Sequence, residues 1–238
     1  MSLRLEIFDD DEWADQVVDR WATVMQDAPT ARICLPTGDT PVPVYAEAAR
    51  RIDLRAATVF MLDEFDLPFD HPARCYSMLR RDLLDHLAAL PAAIHILNAA
   101  ATDPDAECRR YESVVGVGGL DLTLLGLGGN GHLGLNEPGS TADARTRVVH
   151  LSPSTIEAAA RYGPDAEPET GMTLGMRPIL ASHEIWLLVA GAHKAEILDR
   201  MLNGPIGPGL PASYLRDHPN AVVFADRSAA GSLASPPA

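Results

Sequence analysis

One glycine-rich segment of the sequence combines residue types that move protons. It runs from Gly126 to Ser140 and carries Asn130, His132 and Glu137. The charge of a histidine changes near neutral pH, and a neighbouring carboxylate fixes the imidazole tautomer and raises its basicity. Glycines let the backbone approach a ligand closely. The segment therefore predicts a general acid–base site built on His132 and Glu137.

The same segment also fits a dinucleotide-binding pattern. Gly126, Gly128 and Gly131 have the GxGxxG spacing after a predicted strand. Pro138 and Gly139 would break the helix that holds a pyrophosphate, and no acidic residue ends a strand about 20 residues further on. The context therefore favours proton transfer over dinucleotide binding.

A second segment has the features of an anion site. The turn from Leu35 to Pro41 separates a predicted strand from a predicted helix and contains Thr37, Gly38 and Thr40. Backbone N–H groups, two hydroxyls and a helix N-terminus together bind phosphate. The structural alternative is a capped turn, with Thr40 at the N-cap and Pro41 at the first helical position.

Two carboxylates, Asp63 and Glu64, directly follow the predicted strand Thr58–Leu62. They should lie at the carboxyl edge of the sheet, where ligands bind. Adjacent side chains at a strand end point apart, so one is expected to face the pocket while the other faces solvent or a structural partner.

Lys194 is the only lysine among 19 lysines and arginines. It follows the predicted strand Glu184–Ala190 and opens a predicted helix, Lys194–Leu202. A cation is unfavourable at a helix N-terminus, so structure alone gives little reason for this placement. A bound phosphate would offset that cost.

The elements that position these segments alternate between strands and helices. This alternation predicts an α/β fold: a single domain with a mainly parallel, Rossmann-like sheet and helices on both faces. The domain is expected to span residues 1–228, followed by a disordered tail at 229–238. The stretch Ser140–Pro178 is less regular, and within it Tyr162–Gly171 is a candidate lid. The other predicted elements include the strands Arg32–Leu35 and Leu120–Leu125 and the helices Pro41–Arg51, Ser77–Leu90 and Asp103–Val115.

Composition excludes several classes of function. The chain has 238 residues, 47% of them hydrophobic, and a formal net charge of −14. A chain this acidic repels nucleic acids and anionic membrane surfaces. Three cysteines without CxxC spacing predict neither a disulfide framework nor a zinc site. No apolar run is long enough to span a membrane and no signal peptide is recognised, so a cytoplasmic protein is expected.

At the level of motifs, the sequence resembles glucosamine-6-phosphate deaminases (isomerases). The segment Gly129–Gly139 is similar to their Gly-His and Asn-Glu-Pro-Gly signature. Leu35–Pro41 resembles their phosphate loop, and Met61–Phe65 resembles their Met-Asp-Glu-Tyr segment. The resemblance covers about residues 3 to 228. The related 6-phosphogluconolactonases share the phosphate loop and the Gly-His pair but not the Asn-Glu-Pro.

The resemblance implies a role for each candidate residue. Asp63 would move a proton between C2 and C1 of the open-chain sugar, and His132 would open the pyranose ring. Glu137 would orient His132, with Asn130 at a position that is Asp or Asn in the family. The implied phosphate-binding set is Thr37, Gly38, Thr40, Arg161 and Lys194.

The implied reaction converts glucosamine 6-phosphate and water to fructose 6-phosphate and ammonia. The expected partner is a small sugar phosphate, with no metal and no organic cofactor, in a monomer or a homo-oligomer. Arg74 and Cys75 replace the family's usual Ser and Tyr, and Leu135 replaces an aromatic residue. Val149 replaces the basic residue of allosterically regulated members, so allosteric activation is not expected. Two alternatives stay open: a 6-phosphogluconolactonase, and a deaminase acting on galactosamine 6-phosphate.

Overall fold

Seven parallel strands form the central sheet of the computed structural model, which describes residues 3–163 and 165–234. Their order is β1-β10-β9-β6-β2-β3-β5, and every neighbouring pair is parallel. These strands are β1 Arg4–Phe8, β2 Arg32–Leu35, β3 Thr58–Met61, β5 Ala93–His95, β6 Leu122–Gly126, β9 Glu184–Val189 and β10 Ala221–Asp226.

Helices cover both faces of this sheet, as the sequence predicts. The α-helices are α1 Trp13–Asp27, α2 Val42–Arg51, α3 Cys75–Asp82, α4 Pro104–Gly116, α5 Pro153–Ala159, α6 Met176–Leu180, α7 Ala195–Asn203 and α8 Arg227–Ala230. Short 3₁₀ helices occupy Leu84–His86, Ala192–Lys194, Pro211–Asp217 and Gly231–Ala234. Within the described residues, each helix is too short or too polar to cross a membrane.

Two apolar layers hold the helices to the sheet. Helices α1, α2 and α3 pack into one layer, in which Trp13, Val17 and Trp21 recur at helical spacing and are buried. Helices α4, α6 and α7 pack into the other layer. Residues 122–125 of β6 lie between the two layers and are fully buried, which explains why three of the four are leucines. The fourth, Thr123, is hydrogen-bonded to the Ser182 hydroxyl at 2.7 Å.

A second, antiparallel sheet lies at the carboxyl end of β3. It consists of β4 Asp63–Phe65, β8 Thr170–Thr173 and β7 Arg147–His150, in the order β4-β8-β7. Asp63 is the first residue of β4 and pairs with Thr173. This sheet gives regular structure to much of the stretch that the sequence leaves irregular.

Two predicted boundaries differ from the structure. The predicted helix Ser77–Leu90 is instead α3, which ends at Asp82, followed by a 3₁₀ turn. Leu83 leaves the helical conformation, with φ −136° and ψ −62°, and both Leu83 and Leu84 become buried. Regular structure also continues past residue 228, because Ala229 and Ala230 belong to α8 and are buried. The remaining predicted tail, 235–238, lies outside the described residues.

Candidate active site

The four central strands of the sheet end next to one another, and each end carries candidate site residues. Along the sheet, β9 leads to Lys194, β6 to the His132 loop, β2 to the turn at Thr37, and β3 to Asp63. Chain order reverses between β6 and β2, which makes this edge a topological switch point. Ligands of open α/β sheets bind at such points. The topology therefore collects the candidates from four separate segments of sequence.

No helix follows β6 directly, so the fold excludes the dinucleotide interpretation, which the sequence context already disfavours. Gly131 has a φ of +86°, which glycine adopts without strain. At Gly128 a Cβ atom would lie 2.4 Å from the His132 ring. A side chain there would displace the imidazole, so the glycine at 128 is required for the position of the ring.

The Glu137 carboxylate connects Asn130 and His132. The Asn130 amide donates from Nδ2 to Glu137 Oε2 at 2.6 Å, and its Oδ1 accepts the backbone N–H of His132 at 3.1 Å. His132 Nδ1 lies 3.6 Å from the same Oε2. That distance is longer than a hydrogen bond, and the buried Nδ1 has no other partner within the described part of the chain. Asn130 thus braces the pair, and Glu137 acts on His132 mainly through its charge.

Glu137 is held ionised by its neighbours. Burial alone would raise the pKa of this carboxyl group, but the contacts with His132, Thr155 and Asn130 together lower it to about 2. At neutral pH Glu137 therefore carries a negative charge beside the imidazole.

Asn136 and Arg147 fix the backbone that carries Glu137. Asn136 is fully buried, and its Nδ2 donates to the carbonyl oxygens of Leu133 at 2.9 Å and Leu174 at 2.8 Å. Arg147 Nη1 donates to Asn136 Oδ1 at 2.8 Å, and Nη2 donates to Ser140 Oγ at 2.8 Å. Asn136 is therefore an anchor of the loop rather than a group that faces a ligand.

Asp63 is a buried carboxylate on the opposite wall of the site. A Cβ atom on Gly134 would lie 3.2 Å from Asp63 Oδ2, so the His132 loop passes directly over this acid. Burial is the main reason that the pKa of Asp63 rises to about 6. The hydrogen bond from the Cys75 thiol lowers this pKa, repulsion from Glu64 raises it further, and the charge of His132 lowers it. An acid with a pKa near 6 can exchange protons at physiological pH.

Glu64, the neighbouring carboxylate, faces a structural partner, as the alternation along the strand predicts. It forms a buried ion pair with Arg74, with 3.0 Å between Oε2 and Nη2. It also accepts backbone N–H groups from Phe65 at 2.9 Å and Cys75 at 2.8 Å. Glu64 therefore ties β4 to the start of α3, and Asp63 is the acid left for the site.

The turn after β2 lies next to Asp63. The Thr37 hydroxyl contacts the Cys75 thiol, which in turn contacts the Asp63 carboxylate. Gly38 has a φ of +106°, and a Cβ atom there would lie 3.3 Å from the Tyr162 hydroxyl. Helix α2 begins at Val42 with Pro41 at the N-cap, so Thr40 does not occupy the N-cap position of the structural alternative.

Arg161 and Lys194 lie around the same turn. Arg161 is exposed, with its Nη2 atom 3.7 Å from Asp39 Oδ2. Lys194 is half-buried, and its Nζ donates to the Leu127 carbonyl oxygen at 2.7 Å. Burial and the charge of Arg161 lower the pKa of Lys194, while Asp39 opposes them. The charges of Arg161, Lys194 and Asp39 therefore influence one another around this turn.

The structure brings together Asp63, His132 and the Thr37 turn, as predicted, and adds residues that the sequence analysis missed. Ser152 and Thr155 both contact Glu137, and Tyr162 lies over Gly38. All three residues lie in the stretch Ser140–Pro178, which the sequence leaves irregular, so no pattern singled them out. Among residues 3–163 and 165–234, no three His, Cys, Asp or Glu side chains are grouped so as to hold a metal ion.

The fold and this site define an α/β enzyme whose site lies at a switch point of a parallel sheet. Residues 9–224 match the family model of glucosamine-6-phosphate isomerases/6-phosphogluconolactonase, and the chain belongs to this family. The resemblance found in the sequence is therefore confirmed.

Curated relatives and solved structures agree with this assignment. A glucosamine-6-phosphate deaminase of Hahella chejuensis is 39% identical over 88% of this chain and 84% of its own. Glucosamine-6-phosphate deaminase 1 of Bacillus subtilis is 38% identical over 88% of this chain and 90% of its own. A monomeric glucosamine-6-phosphate deaminase superposes with a TM-score of 0.91 at 35% identity, covering 96% of this chain and 99% of that one. The 6-phosphogluconolactonase of Thermotoga maritima, with a TM-score of 0.78 and 21% identity, covers 94% of this chain and 100% of its own and shares the fold.

Proposed function

We propose that this enzyme is a glucosamine-6-phosphate deaminase, which converts glucosamine 6-phosphate and water to fructose 6-phosphate and ammonia. The relatives that are 35–39% identical carry this activity in their names. The structure with the TM-score of 0.91 does so as well.

The observation that carries the proposal is the presence of two separate proton-transfer groups in one site. His132 with Glu137 forms one group, and the buried Asp63 forms the other. Opening a sugar ring and moving a proton between two carbons are two reactions at different atoms. Hydrolysis of a lactone requires only one base to activate water, so this second group favours the isomerising reaction.

In the first step, His132 assists opening of the pyranose ring. The imidazolium donates a proton to the ring oxygen as the C1–O5 bond breaks, and the neutral imidazole that results takes the proton of the C1 hydroxyl, which gives the open-chain aldehyde. The negative charge of Glu137 lies beside the imidazole during this transfer, with 3.6 Å between Oε2 and Nδ1. Asn130 keeps the carboxylate in place throughout.

In the second step, Asp63 shuttles a proton. The carboxylate takes the proton from C2, which is acidic beside the C1 carbonyl, while the His132 imidazolium donates a proton to the C1 oxygen, and an enolamine forms. Return of the proton from Asp63 to C1 gives an iminium ion at C2. Water adds to that carbon, ammonia leaves and the remaining proton returns to His132, so that the C2 ketone of fructose 6-phosphate remains. The substrate supplies its own electron sink, and the scheme uses no cofactor.

The phosphate is proposed to bind at the turn after β2. Backbone N–H groups around Gly38 and the hydroxyls of Thr37 and Thr40 would donate to its oxygens, and Arg161 and Lys194 would supply positive charge. Local cations are needed because the net charge of the chain is −14. A phosphorylated substrate does not cross membranes freely, which supports a cytoplasmic location.

The test is a coupled assay for ammonia with purified protein. Glucosamine 6-phosphate, galactosamine 6-phosphate and 6-phosphogluconolactone are compared, each with and without a chelator. We expect ammonia from glucosamine 6-phosphate at a rate that the chelator leaves unchanged. Rapid lactone hydrolysis without ammonia release would overturn the proposal, whereas a preference for the galacto epimer would correct only the choice of sugar.

A further inference from the structure

The Glu137 carboxylate has a second oxygen that faces away from His132. Its Oε1 accepts hydrogen bonds from the Thr155 hydroxyl at 2.5 Å and the Ser152 hydroxyl at 3.1 Å. Its Oε2 is the atom that lies near Asn130 and His132. The two oxygens are therefore divided between two sets of partners, one in the loop after β6 and one at the start of α5.

The donors to Oε1 are themselves fixed in place. Ser152 is the N-cap of α5, and its Oγ accepts the backbone N–H of Thr155 at 3.3 Å. Thr155 is 7% exposed, and its hydroxyl also lies 3.0 Å from Ser152 Oγ. Ala159, one turn further along α5, packs into the apolar core. Oε1 is therefore held by a capped helix turn rather than by a free side chain.

Hydrogen bonds to both oxygens of Glu137 fix the orientation of its carboxylate. The Asn130 amide alone fixes one oxygen but lets the group turn about its terminal torsion, which is a soft coordinate. A hydrogen bond to the other oxygen restricts that turn. Restriction is important here because His132 Nδ1, at 3.6 Å, makes no hydrogen bond that could orient the carboxylate by itself.

We infer that Thr155 is a positioning residue: its hydroxyl fixes the Glu137 carboxylate in the orientation in which its other oxygen serves His132. This inference rests on the proposed function, because it assigns Thr155 to the ring-opening step. Thr155 acts through Glu137 and does not contact the sugar. Its loss should lower turnover and leave substrate affinity nearly unchanged.

The first experiment uses three variants of α5 in the ammonia assay. Thr155→Val keeps the shape and removes the hydroxyl, and Thr155→Ser keeps the hydroxyl. Ser154→Ala removes an exposed hydroxyl of the same turn, which lies 3.0 Å from Ser152 Oγ and is not one of the donors to Glu137. We expect kcat of Thr155→Val to fall about tenfold or more, with KM within about threefold, because misplaced catalytic groups cost turnover. Thr155→Ser should recover most of the rate, and Ser154→Ala should match the wild type. Equal kcat in Thr155→Val and wild type would overturn the inference.

A second readout does not depend on activity. The pKa of Glu137 is about 2, and the Thr155 hydrogen bond is one of its causes. Carbon-13 NMR titration of the Glu137 carboxyl should therefore give a higher pKa in Thr155→Val than in the wild type or Ser154→Ala. An unchanged value would overturn the inference even if the protein folds and melts normally. If the wild type releases no ammonia, the proposed function fails, and this titration still decides whether Thr155 holds Glu137.

Discussion

At the scale of single residues, the site contains two carboxylates with opposite electrostatic environments. Asp63 is buried with few donors, so its pKa rises to about 6, whereas Glu137 is surrounded by donors and its pKa falls to about 2. Pairs of acids whose pKa values are driven apart mark different chemical roles. Asp63 is suited to exchanging a proton, and Glu137 to keeping a permanent charge.

The raised pKa of Asp63 also makes a prediction about stability. A carboxyl group whose pKa is higher in the fold than in the unfolded chain destabilises the fold as pH rises through about 4 to 6, because the folded state binds the proton more tightly. The ionised group costs on the order of 2–3 kcal/mol at pH 8. Asp63→Asn should therefore melt at a higher temperature than the wild type at pH 8 and lose that advantage at pH 4. The same variant should lose about 10² or more in kcat.

Melting curves of Asp63→Asn at both pH values, with kcat and the affinity for a substrate analogue, check this prediction. Asp66→Asn is the matched control, since Asp66 is an exposed acid of the same segment. Near-normal turnover in Asp63→Asn would show that another group abstracts the C2 proton.

A further residue-scale prediction concerns His132 and Glu137 as a unit. If Glu137 acts by holding a charge at His132, removing either residue removes most of the effect. The double variant His132→Gln/Glu137→Gln should then be little slower than the slower single variant. Rate losses that add in the double-mutant cycle would mean that the two residues work separately, and Glu137 would be left with a structural role in the loop.

At the scale of elements, strand ends could be predicted from sequence, but the contacts between segments could not. The apolar strands before Thr37, Asp63 and His132 are evident from periodicity, and a parallel sheet places their ends at one edge. The small sheet of β4, β7 and β8 was missed because its strands have three or four residues and mixed polarity. Thr155 was missed because it lies in the stretch Ser140–Pro178, which the sequence leaves irregular, and nothing in the sequence places its hydroxyl next to the Glu137 carboxylate.

The turn that carries Lys194 gives an element-scale prediction. Lys194 lies at the N-cap of α7, where a cation is unfavourable, and a bound phosphate that would offset this cost stays a prediction. Its bond to the Leu127 carbonyl adds a structural role that the sequence did not indicate. Lys194→Ala should weaken phosphosugar affinity by about 2 kcal/mol and lower the free energy of unfolding by about 1 kcal/mol.

Titration with a phosphosugar and thermal melts of Lys194→Ala separate these two effects. Arg200→Ala, which removes an exposed cation further along α7, is the control and should change neither quantity. If Lys194→Ala changes the melting temperature but not the affinity, Lys194 is structural and the phosphate binds elsewhere.

At the scale of the whole molecule, the C-terminal segment connects the fold to the site. Asp226 ends β10 and accepts two backbone N–H groups: that of Ala229 at 2.6 Å, in the first turn of α8, and that of Gly191 at 2.8 Å, which begins the Lys194 turn. Ala229 and Ala230 are both buried, and Ala229 packs into the apolar layer that also contains residues of α7. The sequence assigns these residues to a tail because small residues and prolines dominate the composition there. Composition alone does not show that Ala229 and Ala230 are buried.

The final prediction follows from this arrangement. A chain truncated after residue 228 loses the buried alanines of α8 and one partner of Asp226, on the order of 2 kcal/mol of stability, whereas a chain truncated after residue 234 keeps both. The shorter variant should melt roughly 4–8 °C lower than the full chain. Because Asp226 also holds the Gly191 turn, the shorter variant should bind a phosphosugar more weakly as well, while the longer one should match the full chain in both respects. Identical melting curves for all three chains would place the end of the domain at residue 228, as the sequence alone suggests. They would also show that α8 does not stabilise the turn that carries Lys194.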